Sequence, residues 1–383
     1  MVAFKLAYRN LLGAGLRTWL NVSVLSLAFV LIVFYNGMID GWNRQSRNDT
    51  QDWEIGQGQY WHPDYDKYDV YTINEAHQPI DEQAQQEIDG GHLVPQLLQQ
   101  ATIYPQGRMQ SILLRGIPPE QTLLKLPTDA LNGDDDEAKV IIGKRMAKAT
   151  KLQVGDQVLL RWRDRHGTFD ARQVVVAQVF NCDVAEADQG QLYIDYQVMQ
   201  QMMDFDNEAT LLVSGSEVAG LAGWSFKSAD FLLKDLDDLI NSERISGRII
   251  QLVLLMIALL AIFDTQILSI FRRKKEIGTY IALGLTRKQV VGIFTIEGGV
   301  HSILAALLGA AYGIPLFVWI NTIGINFGSA DMGITIAERV YPYYSWQLVL
   351  GSVLIVLVTS TIVSFIPARK IAYMSPTDAL KGK

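Results

Sequence analysis

The stretch Arg272-Arg-Lys-Lys-Glu-Ile-Gly-Thr-Tyr-Ile-Ala-Leu-Gly-Leu-Thr-Arg-Lys-Gln289 decides how this chain is read. Thr265 to Phe271 lead into it and Val290 to Ile296 leave it, each as part of a long apolar run. Four consecutive cations, Arg272 to Lys275, are too costly to sit in hydrocarbon, so the chain must surface there. The positive-inside rule makes that surface cytoplasmic.

Outward from this segment, four stretches reach spanning length: 19–39, 245–271, 290–320 and 346–366. Nothing between 40 and 244 comes near eighteen continuous apolar residues. The 383-residue chain therefore reads as one span, a large polar insert, then three spans close together. Its mean hydropathy is only slightly positive because the insert dilutes the apolar runs.

Charge sets the orientation. Lys5, Arg9, Arg17, the 272–289 loop, Arg369, Lys370, Lys381 and Lys383 are basic, with only Glu276 and Asp378 against them. The insert is acidic. Both termini and the 272–289 loop are expected in the cytoplasm, and the insert and the 321–345 loop outside. The single cysteine, Cys182, excludes an intrachain disulfide framework and reads as a small strand residue. The five histidines are scattered without metal-ligand spacing, so no metal site is expected.

Residues 1–18 read as a short amphipathic helix, with Phe4, Ala7, Tyr8, Leu11 and Leu12 at helical spacing. The following apolar run is long for a signal peptide, and no small-x-small cleavage site follows it, so 19–39 is expected to stay as an anchor. Gly37, Gly41 and Trp42 mark its outer end.

The insert (40–244) reads as an α+β domain. Trp53 to Tyr71 is polar and aromatic, and its Gln59-Tyr-Trp-His-Pro-Asp-Tyr-Asp-Lys-Tyr68 reads either as strand and turn or as a sugar-stacking surface. Residues 80–100 look helical, interrupted by Gly90-Gly91. Ser111 to Glu120 is a strand ending in a turn, and Asp134 to Glu137 is a solvated loop. Val140 onward is a strand running into a helix. Gln157 to Trp162 and Gln173 to Phe180 form a hairpin, and Gln191 to Asp195 is a strand before a helix, Tyr196 to Met203. Residues 225–244 alternate charge and leucine and read as a helix feeding the second span without a break.

Ionisable groups inside spans are costly and draw attention: Asp264, Glu297 and His301. Asp264 and Glu297 lie near the basic loop, within reach of a cation. The third span is rich in small residues, and its Gly309 and Gly313 form a GxxxG that signals a helix interface. Tyr341-Pro-Tyr-Tyr-Ser-Trp346 is an aromatic belt before the last span.

The pattern Lys-Glu-Ile-Gly, then Ala-Leu-Gly, then a basic turn resembles the FtsX/MacB/LolC-type permeases of ABC transporters. The tail Pro367-Ala-Arg-Lys-Ile-Ala, followed by Pro376-Thr-Asp-Ala-Leu380, resembles that family's C-terminal signature. The order of motifs over 110–203 is similar to the periplasmic domain of lipoprotein-releasing LolC/LolE permeases more than to MacB. The resemblance implies a four-helix membrane protein with a large extracytoplasmic α+β domain between helices 1 and 2, placed in the bacterial inner membrane. It implies mechanotransmission. A separate ATPase dimer docks on the 272–289 loop, which carries the coupling helix, and moves the outer domains.

Lys275, Glu276, Ile277, Gly278, Ala282, Leu283 and Gly284 are the expected coupling residues, because an apolar face in a cytoplasmic loop needs a partner to cover it. Val30, Phe34, Met256, Leu260 and Phe263 are the expected lining of a lipid-facing substrate pocket. The expected cargo is a lipoprotein extracted from the outer leaflet and passed to a periplasmic carrier. MacB-like efflux of peptides or amphiphiles and FtsX-like signalling to a cell-wall hydrolase remain the alternatives. The hairpin at 160–175 is shorter than the carrier-gripping one of LolC-type chains, which implies a LolE-like partner or no such carrier.

No G-x-x-x-x-G-K-[ST] occurs, so ATP and magnesium are expected in the partner ATPase and no cofactor in this chain. No catalytic constellation stands out, so the chain is expected to be a non-catalytic subunit. Four spans are too few to enclose a large path. A second permease chain is therefore expected, with membrane lipids and no nucleic acid among the partners.

Overall fold

The computed structural model describes residues 16–133, 137–216, 220–326 and 339–372. The 1–18 helix (up to residue 15), residues 134–136 of the acidic loop and the tail beyond 372 lie outside them. The chain divides into two compact units.

The first unit holds the apolar helices. Among the described residues, four helices are long and apolar enough to cross a membrane. We name them span helices 1 (Leu16–Thr50), 2 (Lys234–Arg272), 3 (Arg287–Ile323) and 4 (Trp346–Ala372). A helix satisfies its own backbone, which hydrocarbon requires. About 20 residues suffice to cross, so helices 1 and 2, at 35 and 39 residues, are much longer than the apolar stretches that predicted them. The expected continuity of 225–244 holds from Lys234 onward; Ser225–Ser228 is instead a strand. Span helix 4 continues through Pro367, which sequence reading placed at the start of a tail.

The core of this unit is apolar side-chain packing. Val22, Leu25, Phe29, Val30 and Val33 of span helix 1 are buried with Ala258 and Ile262 of helix 2 and Ala305 of helix 3. Span helices 3 and 4 meet through a polar seam. The Ser302 and Ser360 hydroxyls bond to each other, and a Cβ on Gly298 would collide with the Ser364 side chain. Small residues let the backbones approach this closely.

The second unit, Asn43–Asp238 with Asn326–Arg339, is the inserted α+β domain. Its strands are β1 (Gly58–Trp61), β2 (Gln78–Pro79), β3 (Leu93–Ile103), β4 (Gln110–Ile117), β5 (Ala138–Gly143), β6 (Gln157–Arg163), β7 (Phe169–Phe180), β8 (Gln191–Asp195), β9 (Glu208–Ala209), β10 (Leu211–Ser214) and β11 (Ser225–Ser228). Nine of them form one sheet in the order β11-β1-β10-β3-β4-β8-β5-β7-β6. β3 also pairs with β6, Ala101 opposite Trp162, so six strands close into a barrel. Closure pairs β6, which would otherwise be an exposed edge of the sheet. The alternation in β6 sends Val158, Leu160 and Trp162 into the barrel core with Leu114, Val176 and Ile194.

The reading of 80–100 as one interrupted helix fails in its second half. The helix Glu82–Asp89 is capped by Asp81, whose carboxylate accepts from the Ala84 amide at 2.7 Å. Gly91, at φ +73, then turns the chain into β3. The glycine pair is a helix stop, not an interruption.

Candidate functional site

The basic loop folds into a helix, Lys274–Ala282, with a well-defined C-terminal cap. At its end the Gly284 amide donates to the Ile281 carbonyl at 3.0 Å, and the Leu285 amide to the Tyr280 carbonyl at 3.0 Å. This is a Schellman stop, and Gly284 supplies the positive φ it needs, +98. Two residues later Thr286 opens span helix 3 with a capping box, reciprocated by Gln289. Ala-Leu-Gly followed by a basic turn is thus the sequence of a tight reversal.

The helix does not offer its apolar face outward. Ile277 is only 2% exposed, enclosed by Val290, Val291 and Phe294 of span helix 3 and Ala368 of span helix 4. The sequence argument that a partner must cover that face is corrected here: the chain covers it itself. What remains outside is the opposite face, Lys275, Glu276 and Thr279, ending at Leu283, which is 75% exposed. Of the seven expected coupling residues, Lys275, Glu276, Leu283 and Gly284 are exposed, while Ile277 and Gly278 are buried. Ala282 lies on the last helical position.

Arg273, just before this helix, holds it to span helix 3. Its Nε donates to Glu276 at 2.9 Å and its Nη1 to the buried Glu297 at 3.4 Å. The guanidinium also lies over the Phe294 ring, 5.3 Å from its centre. Glu297 therefore has a cation partner. His301 donates from Nδ1 to the Glu297 carbonyl at 2.7 Å, one turn back on its own helix. Asp264 is exposed on span helix 2.

The five expected pocket residues are not drawn to one place. Val30 lies against Gly309 and Gly313, where added Cβ atoms would stand 3.2 and 3.1 Å from its Cγ2. Phe34 stacks with Phe317 at 6.5 Å, and Phe317 in turn with Tyr344 at 4.4 Å. Met256 and Leu260 are exposed, on the face of span helix 2 opposite Ala258 and Ile262, and Phe263 is half-buried. Gly309 and Gly313 form the seat for span helix 1.

Residues 248–376 match the family described as FtsX-like permease C-terminal. This part of the chain is an FtsX-like permease domain. Curated relatives include the uncharacterised ABC transporter permease YknZ of Bacillus subtilis, 25% identical over 213 residues, 51% of this chain and 50% of that one. The macrolide export ATP-binding/permease protein MacB of Escherichia coli is 27% identical over 185 residues, 46% of this chain and 26% of that one. The chain thus spans half or less of the length of these relatives. Among solved structures, the periplasmic region of MacB from Actinobacillus actinomycetemcomitans aligns with 48% of this chain and 94% of its own, at 13% identity and a TM-score of 0.33. The extracellular domain of YknZ from Gram-positive bacteria aligns with 47% and 94%, at 18% identity and 0.26. The chain is a multi-pass membrane protein whose relatives are ABC transporter permeases, and the permease domain holds the Arg273–Glu297 pair and the capped loop helix.

Proposed function

We propose that this chain is a non-catalytic permease subunit driven by a separate ATPase dimer, in which ATP and magnesium are bound. The ATPase docks on the exposed face of Lys274–Ala282 and its end, Leu283. The observation that carries this reading is Leu283, a large apolar side chain left in the open on a turn fixed by two caps. Such a residue is a ready anchor for a partner's pocket. The loop and both termini then face the cytoplasm across the inner membrane, and the inserted domain lies outside. A second permease chain covers part of the exposed face of span helix 2. The test is ATPase stimulation by this chain in nanodiscs. Leu283→Asp should abolish stimulation and leave the melting temperature unchanged. Full stimulation by the variant would refute the docking site.

For the cargo, one reading is export of peptides or amphiphiles, in line with relatives named for macrolide export. Lipoprotein release to a periplasmic carrier is the second reading, favoured by the motif order over 110–203. Deletion separates them. Sensitivity to amphiphiles with a normal lipoprotein distribution supports export, and lipoproteins retained in the inner membrane support release. A defect in cell separation alone would instead indicate signalling to a cell-wall hydrolase.

A further inference from the structure

The inserted domain carries a cleft of ≈450 Å³ that nothing above uses. Its polar floor is built from side chains that are almost wholly buried: Glu54 at 8%, Arg115 at 5% and Gln191 at 7% exposure. Glu54 lies beyond span helix 1, in the turn Gln51–Ile55, and fifteen residues past the apolar stretch that ends at 39. Arg115 and Gln191 come from β4 and β8, which run parallel with Leu113 opposite Gln191 and Arg115 opposite Tyr193. Alternation therefore puts both on the same face of the sheet.

The floor is short of donors. Arg115 reaches Glu54 Oε1 at 3.7 Å and gives a hydrogen bond to Gln96 at 3.2 Å. Glu54 Oε2 and Gln191 Oε1 have no hydrogen-bond partner. Glu186, exposed at the mouth, sets a second carboxyl beside Glu54. Burial, and then that neighbour, hold the Glu54 carboxyl above the usual carboxylate range against the pull of Arg115. Two adjacent carboxyls call for a proton or a cation between them. Lys67 acts on Glu54 only through space, its ammonium bonding Asp235 at 2.7 Å.

We propose that this cleft binds a protonated primary amine on a short apolar stem. An ammonium has three donors. Glu54 Oε2, Gln191 Oε1 and the Glu186 carboxylate are three acceptors on one cleft. The stem lies along Trp61 and Tyr65, whose rings meet edge-on at 5.0 Å and line the cleft. Arg115 holds Glu54 through its other oxygen, and the aromatic walls offer no ligands to a bare divalent metal. A cleft of this size with apolar walls and a few converging polar groups is the usual form of a small-molecule site.

The test uses the full chain in nanodiscs, titrated calorimetrically with butylammonium. Saturable binding at millimolar concentration or below is expected, and tetramethylammonium, charged but without N–H donors, should bind at least about tenfold more weakly. Glu54→Gln and Glu186→Gln should each weaken butylammonium by about tenfold, the loss of one charge-assisted contact. Glu186 is exposed, so its variant keeps the test alive if Glu54→Gln does not fold. Ethanolamine and glycerophosphoethanolamine separate the sources: tighter binding of the latter assigns the amine to a lipid headgroup, and tighter or equal binding of the former to a free amine. No saturable heat with any of the three amines overturns the proposal. Unchanged butylammonium affinity in Glu186→Gln also overturns it, and means that the two acids share only a proton.

Discussion

Arg273 and Glu297 join the basic loop to the third span helix across 3.4 Å, with the carboxylate buried and the guanidinium largely so. The cation belongs to a run of four positive charges, and the anion sits in a mostly apolar helix. Removing one partner of such a pair leaves an uncompensated buried charge, which costs ~3–5 kcal/mol. Arg273→Met should therefore lower the thermal stability of the chain in nanodiscs markedly. Glu297→Gln should cost less, and Arg273→Met with Glu297→Leu should recover most of the loss. Strictly additive losses in the double variant would mean that the two side chains do not act as a pair.

Ile277 and Leu283 occupy opposite faces of one nine-residue helix and its cap. Ile277→Ala opens a cavity against Val291 and Phe294 and should cost ~2–5 kcal/mol. Leu283→Ala removes surface contact only and should shift stability by no more than ~0.5 kcal/mol. Thermal melts of both variants check this, and the reverse order would mean that the helix packs by its other face.

Gly309 of span helix 3 and Gly351 of span helix 4 differ in what surrounds them. A Cβ on Gly309 would meet Phe29 Cδ1 at 2.9 Å and Val30 Cγ2 at 3.2 Å, whereas one on Gly351 meets nothing within 4 Å. Gly309→Leu should push span helix 1 away and sharply reduce the yield of folded chain. Gly351→Leu should be tolerated. Size-exclusion profiles and melting curves compare them directly.

Much of this organisation is legible in the sequence. Spans are uniform apolar runs, and the four-cation block can only be a surface turn. Gly309 and Gly313 stand out because small residues at helical spacing mean close approach. The hairpin of β6 and β7 is written in two β-rich runs around the turn residues Asp164 to Gly167. Other features are hidden because they depend on pairing between distant segments. The β3–β6 closure links positions some sixty residues apart, such as Ala101 and Trp162, and no local signal encodes it. Residues 93–103 carry no clean alternation because β3 is buried on both faces, so the sequence up to 100 reads as helix. The covering of Ile277 was missed because Ala368 and Phe294 approach it from other helices. The Glu54–Arg115–Gln191 floor was invisible for the same reason, being drawn from three separate elements.

Asp188 makes the inserted domain pH-sensitive. It is 1% exposed, accepts from the Arg145 amide at 3.1 Å and lies 3.5 Å from the Arg145 side chain. Burial raises its carboxyl above the usual range, with the Arg145 and Lys144 amides and side chains opposing. A carboxyl with a raised folded value binds protons more readily folded than unfolded, so stability falls as pH rises through that window. The cost is full above the raised value and disappears as pH drops through it to below the unfolded one. Asp188→Asn should flatten this part of the stability–pH curve. A curve of unchanged slope would assign the dependence to other groups.

Cys182, the one cysteine of the chain, should be chemically silent in the folded protein. It is buried among the core residues beside Phe180 and Val184, and its thiol donates to the Val184 carbonyl at 3.5 Å. Burial pushes the thiol up to about 12, so almost no thiolate, the reactive form, exists at neutral pH. A maleimide should leave the native chain unlabelled and modify it fully after denaturation. A Leu283→Cys variant, with its new thiol on the exposed turn, should label rapidly at that site under native conditions and serves as the positive control. Labelling of native Cys182 at a rate that climbs with pH, tracking thiolate formation instead of unfolding, would mean that the strand β7 region opens far more readily than its packing implies.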